Sequence, residues 1–499
     1  MNAAEHHWPL TAVHTAVHRT PHAPAVVEGG GALSYGDLWD RIRHWADRMA
    51  ALGAAPNSVI ALVSTEPAAI PAAWLGARAV GLIPLLLDPR LPAAEMNDLL
   101  TTARPAAVAD LARGLLDPTA AGTARVLHPD AGYLVFSSGS QGKRKGIVGS
   151  EKGLRHFVEW EIDVLGLRSR PHRVPLLTSP SFDVVLREFL PVLCSGGELH
   201  VPEPSVAAVR ARIVPWLAEE GIEVVHAVPG LASRWAAAAN GGSLPRLRWT
   251  LFAGEPLYDA HVRNWRRVAP GTEILNLYGP SETTLAKFWY RVGTRPRPGA
   301  QPVGRPLPGT SMCALALRPG ALPTAAGKDL PHRGEPFEIE ISTPHGSLGY
   351  LDDAAPETSP LRRTSDGITT FVTGDRGRLD DDGLLVVEGR LDSLVKRRGK
   401  FVDCARIEQT ARSLAGVTAA CCVQVHADGS GDLALYVAGL PAAEDGPAWT
   451  RGLRRTLARE LGPDVPDRII TQPELPLLPN GKVDRRALLH RAQSGALPV

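Results

Sequence analysis

Ser137 to Gly146 reads SSGSQGKRKG, and it follows an apolar run, Tyr133 to Phe136, with the uninterrupted β-rich character of a buried strand. Three glycines, three hydroxyls and three cations come together there without an apolar residue between them. Glycine lets a backbone turn at φ > 0 and approach a ligand closely, while amides, hydroxyls and lysines converge on anionic oxygen. The stretch reads as a phosphate-gripping loop at the end of a strand; taken by itself, an exposed basic turn is the alternative. A Walker loop is excluded, because Gly142-Lys143 is followed by Arg144 and Ser137 stands where the first glycine belongs. No GxGxxG occurs, and His345-Gly346-Ser347-Leu348-Gly349 only approaches GxSxG.

Outward from this loop, short apolar runs alternate with helical stretches between residues 58 and 280. The runs include Val59–Val63, Leu82–Leu87, Val174–Leu177, Val224–Val228 and Ile274–Leu277, with helical patterns such as Pro71–Val80 and Val206–Glu220 between them. Such alternation predicts parallel sheets covered by helices, with ligands at the carboxyl ends of strands. From 290 to 388 proline and glycine become dense and β-like pieces such as Phe337–Ile341 and Leu384–Glu388 replace the helices, which predicts a small β-rich subdomain. Past Arg390 a basic stretch, Lys396–Lys400, leads into an α+β unit. Its pattern is helix 405–414, strand 419–425, a turn at Asp428-Gly429-Ser430-Gly431, strand 433–437 and helix 449–461. The expected fold is α/β, with a large N-terminal lobe over 1–391 and a small C-terminal domain over 392–499.

A chain of 499 residues exceeds one ordinary core, and 44% hydrophobic with 21% charged residues suits a soluble globular protein. The formal charge of +2 offers no argument for nucleic acid or a membrane surface. Five cysteines without a CxxC suit a reducing, cytoplasmic setting. The N-terminus lacks the form of a signal peptide, and no stretch approaches a membrane span. His6, His7, His14, His18 and His22 share no helical spacing and no carboxylate company, so no metal site is expected there.

Further stations appear in order: Leu33–Leu38 (LSYGDL), Leu75–Pro89, Phe182-Asp183, Asn276–Thr284 (NLYGPSETT), Gly349-Tyr350-Leu351, Thr373-Gly374-Asp375, Gly389–Asp392 and Asn480–Arg485 (NGKVDR). With the opening loop they resemble the adenylate-forming superfamily over nearly the whole chain, and most resemble the amino-acid adenylation domains of nonribosomal peptide synthesis. Gln141 and Arg144 depart from the Thr and Pro of the family's TSGTTGxPKG, and FDVV departs from its FDxS.

The resemblance implies activation of a carboxylic acid by ATP with Mg²⁺, releasing pyrophosphate. Because two anions must be brought together, positioning and charge neutralisation carry such catalysis, and no nucleophilic side chain is needed. By resemblance, Ser137, Ser138, Gly139, Ser140, Gly142 and Lys145 hold phosphates. Glu282 is carried over as the Mg²⁺ ligand, a hard oxygen donor for a hard cation. Tyr278 would lie against the adenine, Asp375 and Arg390 at the ribose, and Gly254, Glu255, Asn276, Gly279 and Ser281 elsewhere around the nucleotide. Lys482 would bridge the substrate carboxylate and the nucleotide. Asp392 matches a hinge about which a mobile C-terminal domain turns, and Lys396–Lys400 would then lie near an incoming pantetheine. Taken alone, Asp375 caps a turn as readily as it binds a ribose, Tyr278 suits a core, Asn480-Gly481 is a good turn and Lys396–Lys400 a solvated strand edge.

Asp183 matches the position that pairs with a substrate amino group, which favours an amino acid over a plain fatty or aryl acid. The remaining pocket positions carried over are Val184, Arg187, His226, Leu251, Ala253, Leu277, Leu285 and Ala286. Two potential cations, Arg187 and His226, suggest an aspartate- or glutamate-like substrate; Arg187 paired with Glu188 or a neighbour, and His226 as an ordinary satisfied histidine, are the alternatives. The chain ends shortly after NGKVDR, so a free-standing enzyme that loads the phosphopantetheine of a separate carrier protein is expected. Coenzyme A or a free small nucleophile as acceptor, and a small activating protein as partner, stay open. A non-catalytic nucleotide binder would lack a key charge, whereas Glu282, Asp375, Arg390 and Lys482 are all present.

Overall fold

The computed structural model describes residues 8–119, 124–137, 144–239, 241–317, 333–353, 358–397, 400–414, 416–425, 432–439, 446–478 and 481–494. The strand before the loop forms as read, over Ala131–Ser137, buried along nearly its whole length. It runs parallel to Ile83–Leu87, which runs parallel to Val59–Val63, which runs parallel to Ala107–Asp110. This parallel centre carries antiparallel neighbours: Lys145–Ser150 and then Gly349–Tyr350 on one side, Leu115–Pro118 on the other. A second sheet sets Val224–Ala227, Trp249–Phe252 and Glu273–Tyr278 in parallel, closed by antiparallel Phe288–Val292 and Arg305–Pro306. A third joins Pro24–Glu28 to Gly31–Ser34, Glu198–Val201 and Arg173–Pro175.

Local rules account for the covering helices. In LSYGDL, the Ser34 hydroxyl accepts from the Asp37 N–H at 3.1 Å and Asp37 accepts back from the Ser34 N–H at 3.1 Å, a reciprocal cap on the helix Tyr35–Ala50. Leu38, Ile42, Trp45, Ala46 and Met49 recur at helical spacing and are all buried. They meet the helix Ile70–Ala79 at Gly76, where a Cβ would stand 2.8 Å from that of Trp45 and 3.0 Å from the Ile42 carbonyl. The two helices approach this closely only through glycine. Val206–Glu220, read as one helix, is two, Pro204–Ala207 and Arg210–Glu219, because Val209 between them is extended (φ −118°, ψ 105°).

The β-rich region forms a sheet of Ser311–Leu315, Phe337–Thr343, Thr369–Leu379, Leu361–Arg363 and Leu385–Arg390. A single 3₁₀ turn, Leu391–Ser393, then leads to a hairpin of Leu394–Arg397 and Lys400–Asp403. The basic run of the sequence is this hairpin; Arg398 and Gly399 lie outside the described residues. The helix Cys404–Arg412 starts where the Asp403 side chain accepts from the Ala405 and Arg406 N–H groups. A three-stranded sheet follows, Ala419–Gln424, Leu433–Ala438 and Arg468–Gln472, with helices Gly446–Leu461 and Arg485–Ser494. Residues 428–431, read as a turn, lie outside the described residues. The C-terminal part has a core of its own, built on residues such as Ile407, Leu435 and Leu457. The architecture is thus a large N-terminal α/β part and a small C-terminal α+β part. Among the described residues no helix is long and apolar enough to cross a membrane.

Candidate active site

Parallel strands deliver their carboxyl-end loops to one place. Val224–Ala227, Trp249–Phe252, Glu273–Tyr278 and Ala131–Ser137 all end on a crevice of about 1870 Å³, lined from both the large and the small part.

At one end stand the feet of the glycine-rich loop. Ser137 and Lys145 are direct register partners across the hairpin, so the loop springs from a fixed base. Ser138, Gly139, Ser140 and Gly142 lie outside the described residues. Arg144, the departure from the family's proline, pairs with Glu95. Lys145 Nζ lies 4.8 Å over the Tyr350 ring, and the Tyr350 hydroxyl donates to Glu282 Oε1 at 3.1 Å. Tyr350 reaches this point because Gly349–Tyr350 pairs with Lys145–Ser150. Glu282 sits in the one-turn helix Ser281–Thr283, its carbonyl accepting from the Ser347 N–H (3.2 Å) and hydroxyl (2.5 Å). Burial raises the pKa of Glu282 and Asp183 adds to it, while the Tyr350 hydroxyl and Lys145 oppose. Among the described residues no three His, Cys, Asp or Glu side chains cluster as metal ligands. Mg²⁺ held with substrate phosphates needs only one or two carboxylates, so Glu282 fits that role.

Asp375 and Arg390 are register partners in the β-rich sheet, with Nη1 3.6 Å from Oδ1. The Tyr278 hydroxyl donates to Asp375 Oδ2 at 2.6 Å, and Arg390 also donates to the Thr373 carbonyl at 2.8 Å. Burial raises the pKa of Asp375. Asn276 lines the crevice but directs its amide at the backbone, donating to the carbonyls of Pro302 (2.8 Å) and Gln301 (3.3 Å). At Gly279 a Cβ would stand 2.4 Å from the Leu285 carbonyl, so the 279–286 loop folds tightly back on itself. Ser281 lines the same wall, and its hydroxyl bonds to Asp183. Glu255 accepts from the Gly230 N–H at 2.5 Å.

Lys482 belongs to the small part and reaches into the large one. Its turn is closed by Gly481 N–H to Leu478 O (2.9 Å) and Leu478 N–H to Lys482 O (2.8 Å); Pro479 and Asn480 lie outside the described residues. Arg234, on the helix Pro229–Ala238, donates to the Gly481 carbonyl at 3.4 Å. A Cβ on Gly254 would lie 3.3 Å from Lys482 Cε. Burial lowers the lysine's pKa, against the pull of Glu255, Asp375 and Asp183. The half-buried ammonium therefore stands amid the carboxylates of the crevice.

The Ser179 hydroxyl donates to Asp88 Oδ2 (2.6 Å), and the Asp88 N–H donates to Ser181 (2.8 Å). The end of the Leu75–Pro89 motif thus secures the loop that carries Asp183. Burial raises the pKa of Asp183, with Ser281, Arg187 and Lys482 opposing. Val184, Arg187, His226, Ala253, Leu277, Leu285 and Ala286 line the crevice with it. Leu251 does not: it stands one pleat behind Ala253 and is fully buried in the core with Leu277 and Leu285. His226 does not stand free: Glu161 Oε1 lies 2.8 Å from its Nε2. Arg187 faces Glu161, Asp183 and Glu188, and it packs 5.8 Å over the Phe157 ring. These carboxylates remove the charge argument for an acidic substrate.

Two buried groups escaped the sequence reading. Glu161 sits in a helical stretch, Glu151–Leu165, where a glutamate ordinarily faces water. Lys287 could have been noticed as a lysine inside an apolar run, LAKFWY. It is wholly buried and donates to the carbonyls of Thr284 (2.5 Å) and Ala286 (3.4 Å). Those carbonyls belong to a turn in which Thr284 and Leu285 both have positive φ, 62° and 58°. Burial lowers the Lys287 pKa from its ordinary 10.5 to about 7. Between these values the unfolded chain binds a proton that the folded chain does not, so the lysine costs stability progressively as pH falls from 10.5 to about 7. The Tm of Lys287→Met minus that of the wild type is therefore expected to rise as pH drops through this window. Melting curves across it check the slope, whatever constant offset the lost hydrogen bonds add.

A model of the family described as AMP-binding enzyme matches residues 13–351. Among curated proteins, the chain is 31% identical over 507 aligned residues to the probable non-canonical nonribosomal peptide synthetase CymA of Salinispora arenicola (strain CNS-205), covering 94% of this chain and 6% of that one. It spans less than half the length of the curated relatives it matches. Among solved structures, IdnL7 superposes with a TM-score of 0.76 at 25% identity, covering 97% of this chain and 99% of that one. A four-domain nonribosomal peptide synthetase, holo-AB3403 bound to AMP and glycine, shares the fold with a TM-score of 0.79 at 23% identity, over 97% of this chain and 36% of that one.

Proposed function

Because the chain belongs to the AMP-binding enzyme family, and is an adenylate-forming enzyme, we propose that it activates an amino acid as aminoacyl-AMP and passes the acyl group to the phosphopantetheine thiol of a separate carrier protein. One observation carries this reading: Lys482 enters from the small part and meets Asp183, Glu255 and Asp375 of the large part in one crevice. In the first half-reaction a carboxylate oxygen attacks the α-phosphorus and pyrophosphate leaves. Asp183 pairs with the α-ammonium and orients the acid. Lys482 neutralises charge on the carboxylate and the α-phosphate as they close. Asp375 accepts hydrogen bonds from the ribose, with Arg390 beside it and the Tyr278 ring at the base. Ser137 and Lys145, with the loop between them, hold the outer phosphates. Mg²⁺ on Glu282 would offset phosphate charge.

The second half-reaction needs Lys482 withdrawn so that a thiol can approach. Leu391–Ser393 is a one-turn link, and we assign the pivot to Asp392 within it, dividing residues 1–391 from 392–499. Proline is tolerated in the first turn of a helix and fixes φ near −65°. Asp392→Pro should therefore keep this turn and oppose its rearrangement. ATP–pyrophosphate exchange is expected to stay within a few-fold of wild type, while acyl transfer to a phosphopantetheinylated carrier falls at least tenfold. Equal loss in both assays would remove the pivot. Exchange with amino acids, followed by transfer trials against carrier protein and coenzyme A, tests the function itself; exchange with aryl or fatty acids alone would overturn it.

A further inference from the structure

The helix Glu151–Leu165 places two side chains that no motif marks behind the wall of the acid pocket. Phe157 and Glu161 stand one turn apart and so share a face; Phe157 lies under Arg187, and Glu161 holds His226. Glu161, His226, Arg187 and Asp183 are only 1%, 2%, 3% and 8% exposed. Each leaves a buried atom without a partner: Glu161 Oε2, His226 Nδ1, Arg187 Nε and Asp183 Oδ2. Buried polar atoms are nearly always hydrogen-bonded, so the unpaired ones that face the crevice point to a polar ligand. Three of the four residues line the crevice, and Glu161 stands behind His226.

Charge narrows the choice. Glu188 is satisfied by the Leu177 and Thr178 N–H groups (each 3.0 Å) and the Thr178 hydroxyl (2.8 Å). Asp183 is taken by the α-ammonium in the function proposed above, on which this inference rests. That leaves Arg187 opposite Glu161. A substrate carboxylate would add an anion to a wall already rich in them, and a side-chain ammonium would meet Arg187. An aliphatic chain would seal Arg187 Nε and His226 Nδ1 away unpaired. In the neutral imidazole, Glu161 accepting at Nε2 keeps the ring proton there and leaves Nδ1 an acceptor. The pocket then presents the N–H donors of the Arg187 guanidinium and, in that tautomer, one acceptor, His226 Nδ1.

We propose that the substrate is an amino acid whose side chain ends in a neutral group that both accepts and donates hydrogen bonds, foremost a carboxamide, and that Glu161 is the positioning residue that holds His226 as the acceptor. The test is ATP–pyrophosphate exchange by the full chain with asparagine, glutamine, serine, threonine, aspartate, glutamate, lysine and leucine. An amide or hydroxyl amino acid is expected to exceed its carboxylate and aliphatic counterparts at least tenfold in kcat/KM. Glu161→Gln can donate to Nε2, which lets the proton move to Nδ1 and removes that acceptor. Its amide-over-carboxylate preference is expected to fall at least tenfold through the KM of the amino acid, with the KM of ATP unchanged. A role in packing alone would lower both substrates together. Preference of the wild type for aspartate, glutamate, lysine or leucine overturns the inference and spares amino-acid activation, as does an unchanged preference in Glu161→Gln. Absence of exchange with any amino acid overturns both. The wild-type panel decides even where the variant does not fold.

Discussion

Lys482→Ala is expected to slow aminoacyl-adenylate formation about 10²–10³-fold, the usual consequence of removing one preorganised donor from a site of developing charge. The lysine sits on a turn closed by its own backbone hydrogen bonds, so truncation leaves the turn intact. Its aliphatic stem packs against Gly254, and its ammonium answers to Glu255, Asp375 and Asp183. The interaction gains strength as charge gathers between carboxylate and α-phosphate, so the loss should fall on kcat and leave the KM of ATP within a few-fold. Single-turnover adenylate formation measures it. Transfer from a preformed aminoacyl-AMP should be nearly untouched, since the proposed mechanism has the lysine withdrawn at that step. Full adenylation by the alanine variant would remove the central element of the mechanism.

Asp183→Asn is expected to fail differently. Leaving one member of a buried charge pair unanswered costs about 3–5 kcal/mol, or about 10²–10³-fold and more in kcat/KM for the amino acid. Asparagine preserves size, so the loss should appear as weakened amino-acid binding while ATP binding holds. Titration gives a second signature. Burial raises the Asp183 pKa, so as pH falls the carboxylate is neutralised sooner than an exposed aspartate would be, and amino-acid kcat/KM should drop on that limb. The asparagine variant, with no proton to gain, should show a flatter acid limb. Exchange assays across the acid range, wild type beside variant, decide the point.

Much of the frame was legible in the residues because its signals are local. The strands Val59–Val63 and Leu433–Ala438 and the helix Cys404–Arg412 follow periodicity and caps within their own few residues. What escaped depends on partners far apart in the chain. A paired Arg187 and a satisfied His226 were open alternatives in the residues, but the partner Glu161 could not be named there, because it lies on a helix separated from either by more than twenty residues. Leu251 and Ala253 stand on the same strand face, and only the depth of the sheet edge separates a core residue from a lining one. Asn276 sat inside a binding motif, yet its amide goes to the backbone at Gln301 and Pro302. Strand Arg468–Gln472 went unread because its RIITQ pattern becomes a strand only beside Leu433–Ala438.

Among the described residues, no strand past Ser393 pairs with one before it, and Leu391–Ser393 is the one covalent passage between the two parts. Side-chain contacts join them among the described residues, including Arg376 with Asp403, Arg210 with Glu474, Arg234 with the Gly481 carbonyl, Arg412 over the Tyr258 ring, and Lys482 beside Gly254. A hybrid protein spliced at this passage would therefore inherit most of the crevice wall from one parent and its lysine from the other. Its success would turn on these docking points more than on kinship between the parents.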